Sequence, residues 1–189
     1  MQQSIERYIT EHQSTLAQLA ACGADIENLA QRCVTALARG NKLLICGNGG
    51  SAADAQHMAA ELVGRFVSDR AAIPAVALTT DTSALTAIAN DYGYDAVFSR
   101  QVAALAKNGD VLLAISTSGN SESIIAACRE ARALDCEVLG LAGRDGGALR
   151  DHCDALLVAP SDKTAHIQEC HIVVIHLLCG LIESGLGLV

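Results

Sequence analysis

Five short apolar runs, each ending in a loop of small polar residues, constrain the fold of this 189-residue chain most strongly. The runs are 42–46, 75–79, 110–116, 137–143 and 155–160. A segment with helical spacing of apolar residues follows each of the first four. Apolar runs alternating with helices are typical of βαβ units, whose parallel strands are buried on both faces. The pattern predicts an α/β fold, a three-layer αβα sandwich around a five-stranded parallel sheet.

Helical segments flank these units at both ends of the chain. The first forty residues predict two helices, with a break at 22–25, Asp25 as the cap of the second helix, and an end near Ala38. The last segment, 164 to about 186, predicts one long helix with an apolar middle, a type usually buried on several sides and suited to a subunit interface. We expect one domain over 1–189, with 1–40 a helical extension used in oligomer packing.

Composition excludes several classes of protein. The net charge is −8 and no stripe of Lys and Arg appears, which argues against a nucleic-acid-binding protein. The eight cysteines include no C-x-x-C pair and the first residues lack an apolar signal region, so we expect reduced cysteines in a cytoplasmic protein. The apolar run "HIVVIHLLCGLI" is too short for a membrane span, so no membrane partner is expected.

Two loops carry the pattern of a phosphate site. "GNGGS" (47–51) and "STSGNS" (116–121) each follow a strand and open a helix. Glycines allow close approach of the backbone to a ligand, and helix N-termini favour anions. A plain βα turn or an N-cap is the alternative for each loop. Four hydroxyls in the second loop exceed what one cap needs, which favours phosphate.

Two helices supply candidate metal ligands. His57 and Glu61 are four residues apart, on one face of the helix after the first loop, although a surface pair has the same spacing. Gln168 and His176 are about 80° apart on the last helix, with His171 nearby, and a core histidine there is the alternative. Two histidines, a Glu and a Gln suit zinc or a similar divalent ion. Asn90 and Asp91 are either sugar-hydroxyl ligands or part of a helix-ending turn.

With these residues assembled, the chain resembles the phosphoheptose isomerase family of the sugar-isomerase (SIS) domain superfamily, whose fold is flavodoxin-like. The resemblance covers nearly the whole chain. It is carried by the segments "CGNGGSAADAQHMAAELVGRF", "LTTDTSALTAIANDYG", "GDVLLAISTSGNS" and "IQECHIVVIH".

The resemblance implies a homotetramer with active sites shared between subunits, and one Zn²⁺ per subunit. It implies conversion of D-sedoheptulose 7-phosphate to D-glycero-D-manno-heptose 7-phosphate, for lipopolysaccharide or related glycans. The implied metal ligands are His57, Glu61, Gln168 and His176. The implied substrate-binding residues are Asn48, Gly49, Gly50, Ser51, Glu61, Asn90, Asp91, Ser116, Thr117, Ser118, Ser121 and Gln168.

The implied mechanism passes through an enediol. Glu61 abstracts the proton beside the carbonyl, His176 supplies or relays a proton on the other carbon, and Asp91 assists ring opening. Zinc would polarise the carbonyl. Some isomerases carry an Asp-Arg pair where this chain has Ala165 and His166, a difference at the rim of the site.

Two other functions stay open at this point. A non-catalytic SIS-domain binding protein of the DnaA initiator-associating type shares the fold, but Glu61 together with His176 favours the enzyme. Another phosphosugar or amino-sugar phosphate isomerase of the superfamily would share the phosphate loops but not the His/Glu and Gln/His helices.

Overall fold

The structure is a computed structural model that describes all of residues 1–189. Its seven α-helices are α1 (Gln2–Leu19), α2 (Gly23–Ala38), α3 (Gly50–Val63), α4 (Thr82–Tyr92), α5 (Ser99–Leu105), α6 (Glu122–Ala133) and α7 (Thr164–Gly185). Its five strands are β1 (Leu43–Gly47), β2 (Ala75–Ala77), β3 (Val111–Ser116), β4 (Glu137–Ala142) and β5 (Ala155–Val158). Three short 3₁₀ segments lie at Ala20–Cys22, Tyr94–Ala96 and Gly147–His152.

The five strands form one parallel sheet in the order β2-β1-β3-β4-β5. The predicted sheet and sandwich are therefore confirmed. The strand order reverses direction between β1 and β3, because β2 is added on one side of β1 and β3 on its other side. In open α/β sheets a ligand binds beyond the carboxyl ends of the strands at such a point. The carboxyl ends of β1 and β3 carry the two predicted phosphate loops.

Both faces of the sheet are buried, because successive side chains of a strand point to opposite faces. In β1, Leu43 and Ile45 join a core cluster with α2, α3 and α7, whereas Leu44 and Cys46 join a second cluster with α5 and α6. Every residue of β1 and β3 is buried. The near absence of aromatics in the sequence suits this packing of Ala, Val, Ile and Leu between closely spaced layers.

Three local predictions were wrong in detail. Asp25 does not cap α2, since the helix already begins at Gly23 and Asp25 lies in its first turn. The second strand is shorter than 75–79, because it is an edge strand that pairs with β1 over only three residues. No α-helix follows β4; the chain there forms the 3₁₀ segment Gly147–His152. Gly146, just before this segment, and Gly147, its first residue, both have positive φ.

Helix α7 is long and apolar enough, by length and composition alone, to cross a membrane. The sequence prediction treated only its apolar centre and so judged it too short. In the fold, half of the apolar window is buried, and the helix packs against α1, α2 and α3. Its apolar residues thus form much of one core layer.

Candidate active site at the carboxyl ends of β1 and β3

The two predicted phosphate loops present uncapped helix N-termini. Helix α3 begins after Gly49 and α6 after Ser121, and neither N-cap residue makes a side-chain capping hydrogen bond. The first backbone N–H groups of a helix have no partner within the helix, so a capping side chain or a ligand must satisfy them. Two such helix N-termini, each following one of two adjacent strands, form a favourable environment for a phosphate group.

Loop 116–121 is held in shape by its own hydrogen bonds. The Gly119 N–H donates to Ser116 Oγ at 3.2 Å, and the Ser116 hydroxyl lies 3.4 Å from Ser121 Oγ. Gly119 has φ +66°, and a Cβ there would collide with the backbone carbonyl of Gly146. The loop therefore requires glycine at this position. Thr117 and Ser118 are half-buried, and the Thr117 hydroxyl makes no hydrogen bond within the chain.

Asn48 ties the two loops together. Its Nδ2 donates to Ser123 Oγ in α6 at 3.0 Å, and its Oδ1 accepts from the Tyr94 hydroxyl at 2.7 Å. Sequence reasoning missed Tyr94 and Ser123. Tyr94 comes directly after the segment "LTTDTSALTAIANDYG", but nothing in the sequence distinguishes its hydroxyl from that of any exposed tyrosine.

His57, Glu61 and His176 come together at the contact between α3 and α7. His57 Nε2 lies 2.9 Å from His176 Nε2 and 3.4 Å from Glu61 Oε1. The His57 side chain is exposed and that of Glu61 is a quarter exposed. The Phe66 ring stacks on His176 with centroids 5.7 Å apart, which limits the movement of that imidazole. These three predicted residues therefore form one cluster open to a ligand.

Gln168 lies beside the first loop. A Cβ on Gly50 would overlap the Gln168 side-chain amide, so the absence of a side chain at position 50 lets Gln168 approach the start of α3. Gln168 makes no hydrogen bond to His57, Glu61 or His176. It thus joins the predicted phosphate loop to α7, about two helical turns before His176.

Asn90 and Asp91 make no hydrogen bond to the rest of the predicted site. Both are exposed at the end of α4, and their only side-chain hydrogen bond joins Asn90 Nδ2 to Asp91 Oδ1 at 2.8 Å. Within this chain they contact no other predicted residue by a hydrogen bond. Both residues lie in the last turn of α4, and their role as sugar-hydroxyl ligands stays a prediction.

A buried ion pair, which sequence reasoning missed, supports the cluster. Arg70 Nε donates to Glu183 Oε1 at 2.8 Å, and both side chains are almost fully buried. Arg70 also donates to the backbone carbonyl of Glu61 at 2.7 Å, while Glu183 accepts the Phe66 N–H at 3.2 Å. The pair therefore fixes the end of α3 and the loop that carries Phe66. The only sign of this ion pair in the sequence is a single glutamate, Glu183, near the end of an apolar helix.

Asp54, one turn before His57 on α3, is a further acidic group near the cluster. Its Oδ2 is buried and has no hydrogen-bond partner. Burial raises the pKa of this carboxyl to about 6, although the nearby His57 lowers it. No pattern in the sequence separates it from an ordinary surface Asp.

The chemistry of the cluster fits a divalent metal ion. Two imidazole nitrogens face each other at 2.9 Å, and a carboxylate oxygen lies 3.4 Å from one of them. Imidazole and carboxylate are the usual protein ligands of zinc outside thiolate sites. The eight cysteines are free and take no part in this cluster.

Comparisons with known proteins agree with this architecture. The SIS domain family matches residues 7–143. Phosphoheptose isomerase of Aliarcobacter butzleri is 52% identical over 188 residues, which are 99% of this chain and 100% of that protein. The chain belongs to the phosphoheptose isomerase family. The resemblance stated from the sequence is thereby confirmed.

Two solved structures of this family have the same fold. Phosphoheptose isomerase GmhA from Neisseria gonorrhoeae matches with a TM-score of 0.92 at 46% identity, over 97% of this chain and 98% of that one. A phosphoheptose isomerase from Francisella tularensis matches with a TM-score of 0.94 at 39% identity, over 96% and 97%. The helical start of the chain is therefore included in the family fold, because these matches cover nearly all of it.

Proposed function

We propose that the protein converts D-sedoheptulose 7-phosphate to D-glycero-D-manno-heptose 7-phosphate, an aldose–ketose isomerisation that supplies activated heptose for lipopolysaccharide or related glycans. One observation carries the proposal. Helix α3 begins at a phosphate-type loop and bears His57 seven residues later, a rise of about 10 Å. That rise is comparable to an extended seven-carbon sugar phosphate, so the phosphate and the carbonyl end would reach the two ends of one site.

The phosphate would be held by backbone N–H groups and hydroxyls rather than by cations. The proposed ligands are Asn48, Gly49, Gly50, Ser51, Ser116, Thr117, Ser118 and Ser121. The uncapped starts of α3 and α6 support this assignment, because each offers N–H groups that no side chain satisfies. Binding energy at the phosphate would position the carbonyl end for proton transfer.

Glu61 is the proposed base. Only its Oε1 faces His57, and the carboxylate makes no other contact with a charged or hydrogen-bonding side chain. It would take the proton from the carbon beside the carbonyl to give an enediol, and His176 would supply a proton at the other carbon. Stacking on Phe66 would hold the His176 ring in position. Asp91 would assist ring opening, with Asn90 orienting its carboxylate through the 2.8 Å hydrogen bond.

One zinc ion per subunit is proposed at the same place. His57, Glu61, Gln168 and His176 would hold it, and the convergence of three of these side chains supports the assignment. When bound, the ion would polarise the substrate carbonyl and stabilise negative charge on its oxygen.

A homotetramer with shared active sites is proposed because apolar residues remain exposed on α1 and α7. Ile5 and Ile9 on α1 and Leu177 and Leu181 on α7 are exposed. An open cavity of about 420 Å³, lined by His176, Phe66, Val173, Leu177, Gly180 and Leu181, lies next to the proposed acid. A second copy of the chain would cover this surface. The eight free cysteines fit a cytoplasmic location.

Turnover of sedoheptulose 7-phosphate, followed by NMR in the presence of zinc, tests the proposal. The wild type is expected to form the aldoheptose phosphate. Glu61→Gln keeps the shape of the side chain but removes the base, and should lower turnover at least 100-fold. Glu27→Gln, an exposed site on α2, is the matched control and should leave turnover unchanged. Near-wild-type turnover by Glu61→Gln would show that another group is the base. Absence of turnover by the wild type would overturn the proposed function itself.

A further inference from the structure

A second cluster of histidine and carboxylate side chains lies between α1 and the first turns of α7, distinct from the cluster of His57, Glu61 and His176. It consists of His12, His166 and Glu169. His12 Nδ1 lies 2.6 Å and His166 Nδ1 2.8 Å from the same atom, Glu169 Oε2. One potential ligand atom from each of the three residues lies within 4.8 Å of the others. None of the three belongs to the ligand set proposed for the active site.

The donor set and its spacing suit a transition-metal ion. Two imidazoles and one carboxylate leave a fourth position for water, a common arrangement for Zn²⁺. Zinc takes these ligands at about 2.0–2.2 Å, so small side-chain movements would bring all three atoms around an ion. The ligands come from two helices that are far apart in sequence. An ion here would therefore fasten α1 to the start of α7.

The surroundings also match those of a metal site. Tyr8 donates its hydroxyl proton to Glu169 Oε1 at 2.5 Å, which orients the carboxylate. His166 Nε2 is buried and has no hydrogen-bond partner, and Glu11 Oε2 lies 3.7 Å from it. If Nδ1 coordinates a metal, Nε2 must carry the ring proton and can donate it toward Glu11. Metal-bound histidines usually make such a second bond to a carboxylate.

Without a metal, a neutral His166 leaves one of its ring nitrogens without a hydrogen-bond partner. The Nδ1–H of His166 would donate to Glu169, which leaves the Nε2 lone pair buried without a donor. A buried polar atom with no partner is costly. A metal ion on Nδ1 would leave the ring proton on Nε2, which would then point toward the Glu11 carboxylate.

An ion can reach the cluster from solvent. His12 and Glu169 are each about one third exposed. An open cavity of about 340 Å³, whose lining is polar, adjoins His166 on the side of Glu11 and Lys163. We propose that His12, His166 and Glu169 bind a divalent transition-metal ion, with Zn²⁺ as the best match, that holds α1 against α7. This inference does not rest on the proposed reaction.

Zinc binding by the metal-stripped, full-length protein tests the proposal. Zn²⁺ itself is the probe, in competition with a chromophoric zinc indicator and with a non-thiol reductant present. His57→Ala/His176→Ala removes both histidines among the four ligands of the proposed active-site ion, and this double variant should still bind one equivalent. Adding His12→Ala should weaken that remaining equivalent at least tenfold. Adding His152→Ala instead, at a histidine outside both clusters, should leave it unchanged.

A second measurement guards against misfolding. Zn²⁺ should raise the thermal unfolding midpoint of His57→Ala/His176→Ala, because a ligand that binds only the folded state stabilises it. It should not raise the midpoint once His12→Ala is added. His12 lies on the surface of α1, so its replacement leaves the core of α7 intact. The proposal is overturned if the double variant binds no zinc, or if its zinc persists unchanged after His12→Ala. If the active-site ion alone were misassigned, the wild type would still bind an equivalent that His12→Ala weakens.

Discussion

The side of α7 that faces the sheet and the side that faces α3 each carry a histidine, in opposite surroundings. His171 is fully buried, and its Nε2–H donates to the carbonyl oxygen of Ala142 at the end of β4 at 3.0 Å. His176 is exposed, and its Nε2 faces His57 at 2.9 Å. The first imidazole is a structural group that must stay neutral. The second has a ring nitrogen and open space available for a ligand. Five residues on one helix thus separate a core residue from a candidate catalytic residue.

The largest loss of stability is expected when the buried ion pair that supports the α3-facing side of α7 is broken. Arg70→Met would leave Glu183 buried and without its ion-pair partner, and would free the carbonyl of Glu61. Removing one partner of a buried ion pair typically costs about 3–5 kcal/mol of unfolding free energy. We therefore expect a loss of that size in urea denaturation, measured at neutral pH.

The exposed pair of Arg129 and Glu122 provides the matched control for Arg70. Both of its side chains are at least half exposed, with a distance of 2.9 Å similar to that of the buried pair. Arg129→Met should cost less than about 1 kcal/mol, because solvent screens such a pair. If the two Arg→Met variants lost equal stability, the buried pair would not support the cluster as described.

The sequence predicted the sheet and the loops because their signals are local. Each strand is an apolar run, and each loop is a run of small polar residues directly after a strand. Helical spacing placed His57 with Glu61 on one helix, whereas the joining of His57 and His176 in one ligand set was implied by the family resemblance. These features need only the period of a helix or strand and the rule for strand ends.

The parts that sequence reasoning missed depend on contacts between distant segments. Arg70, in the segment after α3, pairs with Glu183 of α7, and Tyr94 donates to Asn48 in the loop after β1. His166 appeared in the sequence only as a variation at the rim of the site, yet it faces His12 on α1. No spacing rule brings these residues together. The exposed position of Asn90 and Asp91 likewise depends on how α4 ends, which the sequence left open.

The sheet-facing side of α7 should make the protein sensitive to mild acid. Burial lowers the pKa of His171 to about 4, although its hydrogen bond to Ala142 opposes this shift. In the unfolded chain the same group takes up a proton near pH 6.5. Between these values the unfolded state binds more protons. The free energy of unfolding should therefore fall as the pH drops from 6.5 to 4, by about 3 kcal/mol from this residue, and then level off.

His171→Gln isolates this contribution. Glutamine retains an N–H that can donate toward the Ala142 carbonyl but does not titrate. Urea denaturation of both proteins from pH 7.5 to 4 should give a flatter profile for the variant, and the two profiles should diverge below pH 6.5. Parallel profiles would mean that His171 is not the buried neutral imidazole that the comparison requires.

The smallest of these effects concerns the junction between Gln168 and the first loop. Gly50→Ala would place a Cβ in the space of the Gln168 amide, whose flexible side chain can move away. We expect the protein to stay folded and turnover of sedoheptulose 7-phosphate to fall by about 100-fold, because misplacement of a positioning group by about 1 Å can cost that much. Gly23→Ala is the matched control: it is also the first residue of a helix, and a Cβ there meets nothing within 4 Å.

A double-mutant cycle makes this last prediction specific to Gln168. If Gly50→Ala acts by displacing the Gln168 side chain, adding it to Gln168→Ala should cause little further loss, because the displaced group is already gone. Full additivity would instead mean that the methyl group disturbs the phosphate loop itself. Turnover measured for the wild type, both single variants and the double variant separates these cases. The cycle also decides whether α7 contributes to the site through Gln168 as well as through His176.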